Sequence, residues 1–129
     1  MILKAIDHIA INTVDINESV RFYSEVMGFK EGERIPNGDN TLVYMLVNDH
    51  SAIELFDCEK DIAYSEHDED RSGTIHIAFS VCDIHAWNEH LKKHNAEFTV
   101  PLCELEHLKK NVLLFKDPNG VVIELNEDI

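Results

Sequence analysis

Basic residues are scarce in this chain of 129: 11 Lys and Arg stand against 25 Asp and Glu, a formal charge of -14. Such a surface repels phosphate, which excludes general nucleic-acid binding and adsorption to an anionic membrane. Long apolar runs are missing as well. None reaches the length of a bilayer span, and Met1-Ile2-Leu3-Lys4 lacks the basic and apolar segments of an export signal, so the expected location is cytoplasmic. Cysteine is limited to Cys58, Cys82 and Cys103, an odd number without a C-x-x-C pair, which argues against a disulfide framework or a thiolate zinc site. All three are expected to be reduced and structural. Cys82 shares strand parity with His76, but a small buried apolar side chain is its expected role.

What is present reads as one soluble globular domain over residues 1–129, with 44% hydrophobic and 28% charged residues. The chain is written twice. His8-Ile9-Ala10-Ile11-Asn12-Thr13-Val14-Asp15-Ile16 returns 68 residues later as His76-Ile77-Ala78-Phe79-Ser80-Val81-Cys82-Asp83-Ile84, and Ala52-Ile53-Glu54-Leu55 returns 70 residues later as Val122-Ile123-Glu124-Leu125. His and Glu are therefore 46 residues apart in one copy and 48 in the other. This predicts module one at about 1–57, a linker at about 58–73 and module two at about 74–129.

Each module reads strand, helix, then several strands. Alternation from Ile6 to Val14 predicts a strand with Ile9 and Ile11 on one face and His8, Ala10 and Asn12 on the other. Asp15 is the expected helix cap, with Glu18 three residues on. Ile16, Val20, Tyr23 and Met27 form the apolar stripe, and Gly28 is the stop. In the second copy Asp83 caps, Ile84, Trp87 and Leu91 form the stripe, and Asn95 is a left-handed stop. Further strands are predicted near Phe29 to Ile35, Thr41 to Val47, Ser51 to Phe56, Glu97 to Val100, Asn111 to Lys116 and Val121 to Asn126, with turns at Pro36-Asn37-Gly38-Asp39, Asn48-Asp49 and Asp117-Pro118-Asn119-Gly120. The acidic run Glu66-His67-Asp68-Glu69-Asp70 can be read as a second metal site or as solvated linker. The linker reading is taken.

Strand parity makes four residues unusual. Ile75, Ile77, Phe79 and Val81 form an apolar face that leaves His76 opposite, while Ile53 and Leu55 frame Glu54 and Ile123 and Leu125 frame Glu124. A carboxylate central in such a strand needs a donor, water or a cation. Two imidazoles and two carboxylates, His8, Glu54, His76 and Glu124, suit one divalent ion, nickel or zinc first, with manganese, cobalt or iron as further options. His50, His67, His85, His90, His94 and His107 have no such pattern and read as surface residues, and Phe22, Tyr23 and Trp87 as helix packing.

The segments D-H-I-A, A-I-E-L, I-H-I-A-F-S-V and D-P-N-G-V-V-I-E-L resemble the glyoxalase, bleomycin-resistance and extradiol-dioxygenase superfamily, also called the vicinal-oxygen-chelate superfamily. The resemblance implies an α+β fold of two βαβββ modules forming a curved mixed sheet around a metal cleft. The His, Glu, His, Glu set is similar to that of glyoxalase I. It implies a metal-dependent isomerase or lyase in which Glu54 or Glu124 moves a proton through an enediolate of a small vicinal-oxygen substrate, such as a 2-oxoaldehyde thiol adduct. Alternatives are a methylmalonyl-CoA epimerase-like enzyme, for which Glu54 is commonly Gln, a dioxygenase with a three-ligand iron set, and a non-catalytic binding or resistance protein. Glutathione-using members commonly carry Arg and Asn where this chain has Asn12 and Cys58, which puts glutathione in doubt. Asn12 and, in the loop before the penultimate strand, Lys109 and Lys110 are the candidate substrate contacts, and a homodimer is the implied assembly.

Overall fold

A computed structural model describes residues 1–58 and 72–129. They fall in two compact units, Met1–Ala63 and Tyr64–Ile129. The first runs β1 (His8–Thr13), α1 (Ile16–Arg21), a π-helical continuation (Phe22–Val26), β2 (Lys30–Asn37), β3 (Asn40–Asn48) and β4 (Ser51–Asp57). The second runs β5 (Ile77–Ser80), α2 (Ile84–Lys93), β6 (Glu97–Leu105), β7 (Lys110–Lys116) and β8 (Val122–Asp128). Each forms a four-stranded mixed sheet, ordered β1-β4-β3-β2 and β5-β8-β7-β6. In both, the first strand runs parallel to the last and the other pairings are antiparallel. The chain is therefore α+β with two βαβββ modules, and the repeat in sequence is a repeat in structure. The acidic run from Glu66 to Asp70 lies outside the described residues.

The helices start and stop where the caps lie. Asp15 accepts from the backbone N–H of Asn17 and Glu18 at 2.8 and 3.0 Å. The expected stripe of Ile16, Val20, Tyr23 and Met27 is buried. Gly28 then turns left-handed at φ 72°, while Phe29 N–H closes back on the Tyr23 carbonyl at 2.8 Å. The π-helical turn was not legible, because one extra residue in a turn leaves no mark on an apolar stripe this short. In α2, Ala86 N–H donates to the Asp83 side chain at 3.0 Å, and Asn95 takes the left-handed stop at φ 55° with Ala96 N–H on the Leu91 carbonyl. Ile84 and Leu91 are buried, but Trp87 remains half-exposed, its ring edge against His90.

The turns also fall near their expected places. Asn37 pairs with Asn40 across Gly38-Asp39, and Asn48 with Ser51 across Asp49-His50. Asp117 folds its connection tightly, its carboxylate accepting from Asn119 N–H and Val121 N–H at 2.8 Å each, and β7 and β8 pair on either side. One strand outruns its prediction. β6 continues through Pro101 to Leu105, because it lies at a sheet edge and its register shifts between Val100 and Cys103, where a missing N–H is tolerated. Val43, Met45, Ile53 and Leu55 are among the most deeply buried strand residues of unit one, and Leu113, Phe115, Ile123 and Leu125 among those of unit two. No helix among the described residues is long and apolar enough to cross a membrane.

Candidate metal centre

Both units bring a histidine to a glutamate by the same construction. Ala10 lies opposite Glu54 and Ala78 opposite Glu124 in the parallel pairings, so the histidine two residues before each alanine shares the carboxylate's face. His8 opens β1, and its Nε2 stands 3.2 Å from Glu54 Oε2. His76 sits just before β5, and its Nε2 stands 3.3 Å from Glu124 Oε2. Both central strands are well covered: Glu54 is only 7% exposed, between Ile53 and Leu55, which are almost fully buried.

The surroundings of the two pairs differ. In unit one, His8 Nδ1 lies 2.8 Å from Asp7 Oδ2, and the Asp7 backbone is tied to β4 through the Ala52 N–H at 3.0 Å. A carboxylate at Nδ1 holds that nitrogen's proton and leaves Nε2 facing Glu54. The Asp7 hydrogen bond raises the His8 pKa above 6.5, burial opposes it, and the negative charges of Glu54 and Asp7 reinforce it. Tyr44 is the cross-strand neighbour of Glu54, sets its ring edge against His8 at 5.7 Å, and hydrogen bonds to the Glu54 carboxylate. That hydrogen bond, with burial and the charges of Glu54 and Asp7, raises the Tyr44 pKa above its usual value of 10. A cleft of about 780 Å³ adjoins this pair, lined by Lys4, Asp7, Tyr44, Asn48 and His50 among others.

In unit two the cross-strand neighbour of Glu124 is Leu114, which offers no hydroxyl. Support comes along β8 instead: Asn126 Nδ2 donates to Glu124 Oε1 at 2.9 Å, and Lys110 Nζ donates to Asn126 Oδ1 at 3.2 Å and to Asp128 Oδ1 at 2.6 Å.

The donor chemistry of each pair fits a cation. With its proton held at Nδ1, a neutral His8 turns a lone pair toward a carboxylate oxygen 3.2 Å away, a contact that becomes favourable only when a proton or a metal ion lies between. Each pair supplies one imidazole and one carboxylate, donors that suit a divalent ion. Each unit contributes two of these side chains, and no group of three or more His, Cys, Asp or Glu arranged to hold a metal is found among the described residues.

The family model for the Glyoxalase/Bleomycin resistance protein/Dioxygenase superfamily matches residues 5–125. The chain belongs to this superfamily. It is 32% identical to the uncharacterized protein YaeR of Escherichia coli, over 97% of this chain and 97% of that protein. It is similar at 28% identity to a probable lactoylglutathione lyase of Vibrio parahaemolyticus, covering 92% of this chain and 86% of that one. Against the metallothiol transferase FosB of Staphylococcus epidermidis the identity is 29%, over 98% and 83%.

Among superfamily features expected from sequence, the substrate contacts fare worst. Lys110 does not lie in a loop: it opens β7 and is engaged by Asp128 and Asn126, because its register partner is Asp128. Lys109 lies in the preceding turn at φ 54°, its carbonyl accepting from Ile129 N–H at 3.1 Å. Asn12 is exposed on β1, in register with Phe56. Cys82 is exposed where a buried residue was expected, since β5 ends at Ser80 and the chain turns toward the α2 cap. Asp7, Tyr44 and Asn126 went unrecognised. Asn126 had a signal, since it lies two residues after Glu124 and so on the same face. Tyr44 needed the β3–β4 register, which the two-residue turn at Asp49-His50 sets.

Proposed function

We propose that this chain is a metal-dependent, glyoxalase I-like isomerase or lyase acting on a small vicinal-oxygen substrate such as a 2-oxoaldehyde thiol adduct. His8, Glu54, His76 and Glu124 would hold one divalent ion, nickel or zinc first. The observation that carries this reading is the paired contact: Nε2 to Oε2 at 3.2 Å in one unit and 3.3 Å in the other, at equivalent register in both. A divalent ion at such a set supplies a Lewis acid for two neighbouring substrate oxygens and so acidifies the adjoining C–H.

The chain's own residues do the remainder. Asp7 orients His8 by engaging Nδ1, and Tyr44 and Asn126 orient the two carboxylates. Glu54 or Glu124 takes the proton from one carbon and returns it to the next, the work of a general base within hydrogen-bond reach. The cleft beside Asp7 and Tyr44 offers room for the non-reacting end of a substrate. The probable lactoylglutathione lyase relative supports an isomerising reaction.

Metal analysis tests the ion directly. Purified protein is expected to carry one nickel or zinc per ligand set, and His8→Ala and His76→Ala are each expected to abolish it. Protein that takes up no divalent ion, or that holds it unchanged in both variants, overturns the reading. The proposed assembly is a homodimer. Mixing His8→Ala with His76→Ala chains restores a complete ligand set only if each set draws its pairs from two chains, and leaves none if each chain builds its own.

A second reading rests on FosB: transfer of a thiol to a small substrate, with the same ion. Solvent-deuterium incorporation into hemithioacetals or acyl thioesters favours proton transfer, while thiol consumption with a small electrophile favours the alternative.

A further inference from the structure

Three polar side chains line one face of β8 at two-residue spacing: Glu124, Asn126 and Asp128. Across the sheet their register partners on β7 are Leu114, Val112 and Lys110. Lys110 thus lies opposite the end of this row, and its Nζ bridges Asp128 Oδ1 at 2.6 Å and Asn126 Oδ1 at 3.2 Å. An ammonium only donates, so the Asn126 atom that meets it must be the carbonyl oxygen. The carboxamide is thereby oriented, with Nδ2 directed at Glu124 Oε1 at 2.9 Å. With Oε1 engaged, Oε2 is the oxygen left to His76 Nε2 at 3.3 Å.

Among the described residues, unit one has no such chain of contacts. The residue two beyond Glu54 is Phe56, and Glu54 instead meets the Tyr44 hydroxyl. The support of Glu124 is therefore not a general product of the repeated scaffold but a feature of these three residues.

We propose that Lys110 and Asn126 form a positioning relay that fixes the rotamer of Glu124, so that Oε1 is occupied and Oε2 is presented beside His76. Lys110 acts through Asn126 and does not contact substrate. For its metal-binding consequence the inference rests on the ion reading above, while the relay itself is measurable in metal-free protein.

Two measurements on the full chain decide it. In the metal-free protein, the side-chain amide proton resonances of Asn126 are expected to shift on Glu124→Gln and again on Lys110→Met, and to stay near their wild-type positions on Lys110→Arg. Under nickel titration with a competing chelator, Asn126→Leu is expected to weaken binding by about 10-fold or more and Lys110→Met by a smaller factor, the range usual for groups that orient metal ligands. Lys116→Met, which removes the comparable ion pair with Glu97 at 2.9 Å in the same unit, is expected to leave nickel affinity unchanged. If the wild type binds nickel and Asn126→Leu binds it equally well, the relay is refuted while the ion reading stands. A wild type that binds no nickel removes the ion reading, and the amide resonances then decide the relay alone: unmoved by Lys110→Met, they refute it.

Discussion

In unit one, Glu54 meets a phenol across the sheet and its histidine leans on Asp7. In unit two, Glu124 meets Leu114, takes an amide from its own strand, and traces back through Asn126 to an ammonium. The scaffolds beneath are alike: one strand order, one parallel pairing, alanine opposite each glutamate. The repeated scaffold thus sets where the imidazole and carboxylate stand, and different residues at the flanking positions make their surroundings unequal. Two carboxylates with different hydrogen-bond donors need not do the same work, which is how one fold separates a proton-transferring group from a purely ligating one.

The sharpest way to break the comparison is to neutralise each carboxylate in turn. Glu54→Gln and Glu124→Gln keep side-chain shape, so both variants should fold, and the one that moves the proton should lose about 10²–10⁴-fold in turnover. Steady-state rates on a hemithioacetal measure this. Equal, minor losses in both would mean that neither carboxylate transfers the proton. The matched scaffolds make the next prediction: Leu55→Ala and Leu125→Ala, both fully buried on the central strand, should each cost about 2–5 kcal/mol in chemical denaturation. A large difference between them would show that the two sheets are not equally packed.

Much of this was legible because duplicated strands carry their signal twice. The histidine and glutamate positions, the caps Asp15 and Asp83, the stops Gly28 and Asn95, and the Asp117 turn all depend on residues close in sequence. What escaped depends on register or on exposure at edges. The approach of Tyr44 to Glu54 is a cross-strand fact, the persistence of β6 past Pro101 follows from its edge position, and Lys110 reads as a loop lysine until Asp128 is known to lie opposite.

A smaller effect is expected from the backbone behind Tyr44. Gly32 lies where β2 slips register against β3, and a Cβ built there would stand 2.8 Å from the Tyr44 carbonyl oxygen. That atom belongs to the backbone and cannot swing aside. Gly32→Ala should therefore cost about 1–3 kcal/mol by overpacking, measured by denaturant titration. It should also move the Tyr44 ring relative to His8, seen as a change in ring-proton shifts. The irregular stretch of β6 from Phe98 to Cys103 contains no glycine. An alanine variant as stable as the wild type would mean that β3 yields at no cost.

The mildest test is a titration of His8. The Asp7 hydrogen bond is the largest cause of the raised His8 pKa, and Asp7→Asn replaces its charged acceptor by a neutral amide and removes one of the two negative charges acting there. The His8 ring-proton titration should then move down toward 6.5, with Glu54 still raising it and burial still lowering it. The sign for stability follows from linkage: a histidine that binds its proton more tightly when folded stabilises the fold fully below 6.5, and that contribution disappears as pH rises through the raised value. The stability difference between wild type and Asp7→Asn should therefore be larger at pH 5 than at pH 9, because only at the lower pH is His8 charged. If the His8 curve is unchanged in Asp7→Asn, Asp7 is not what holds the imidazole, and the unequal support of the two pairs narrows to Tyr44 against Asn126.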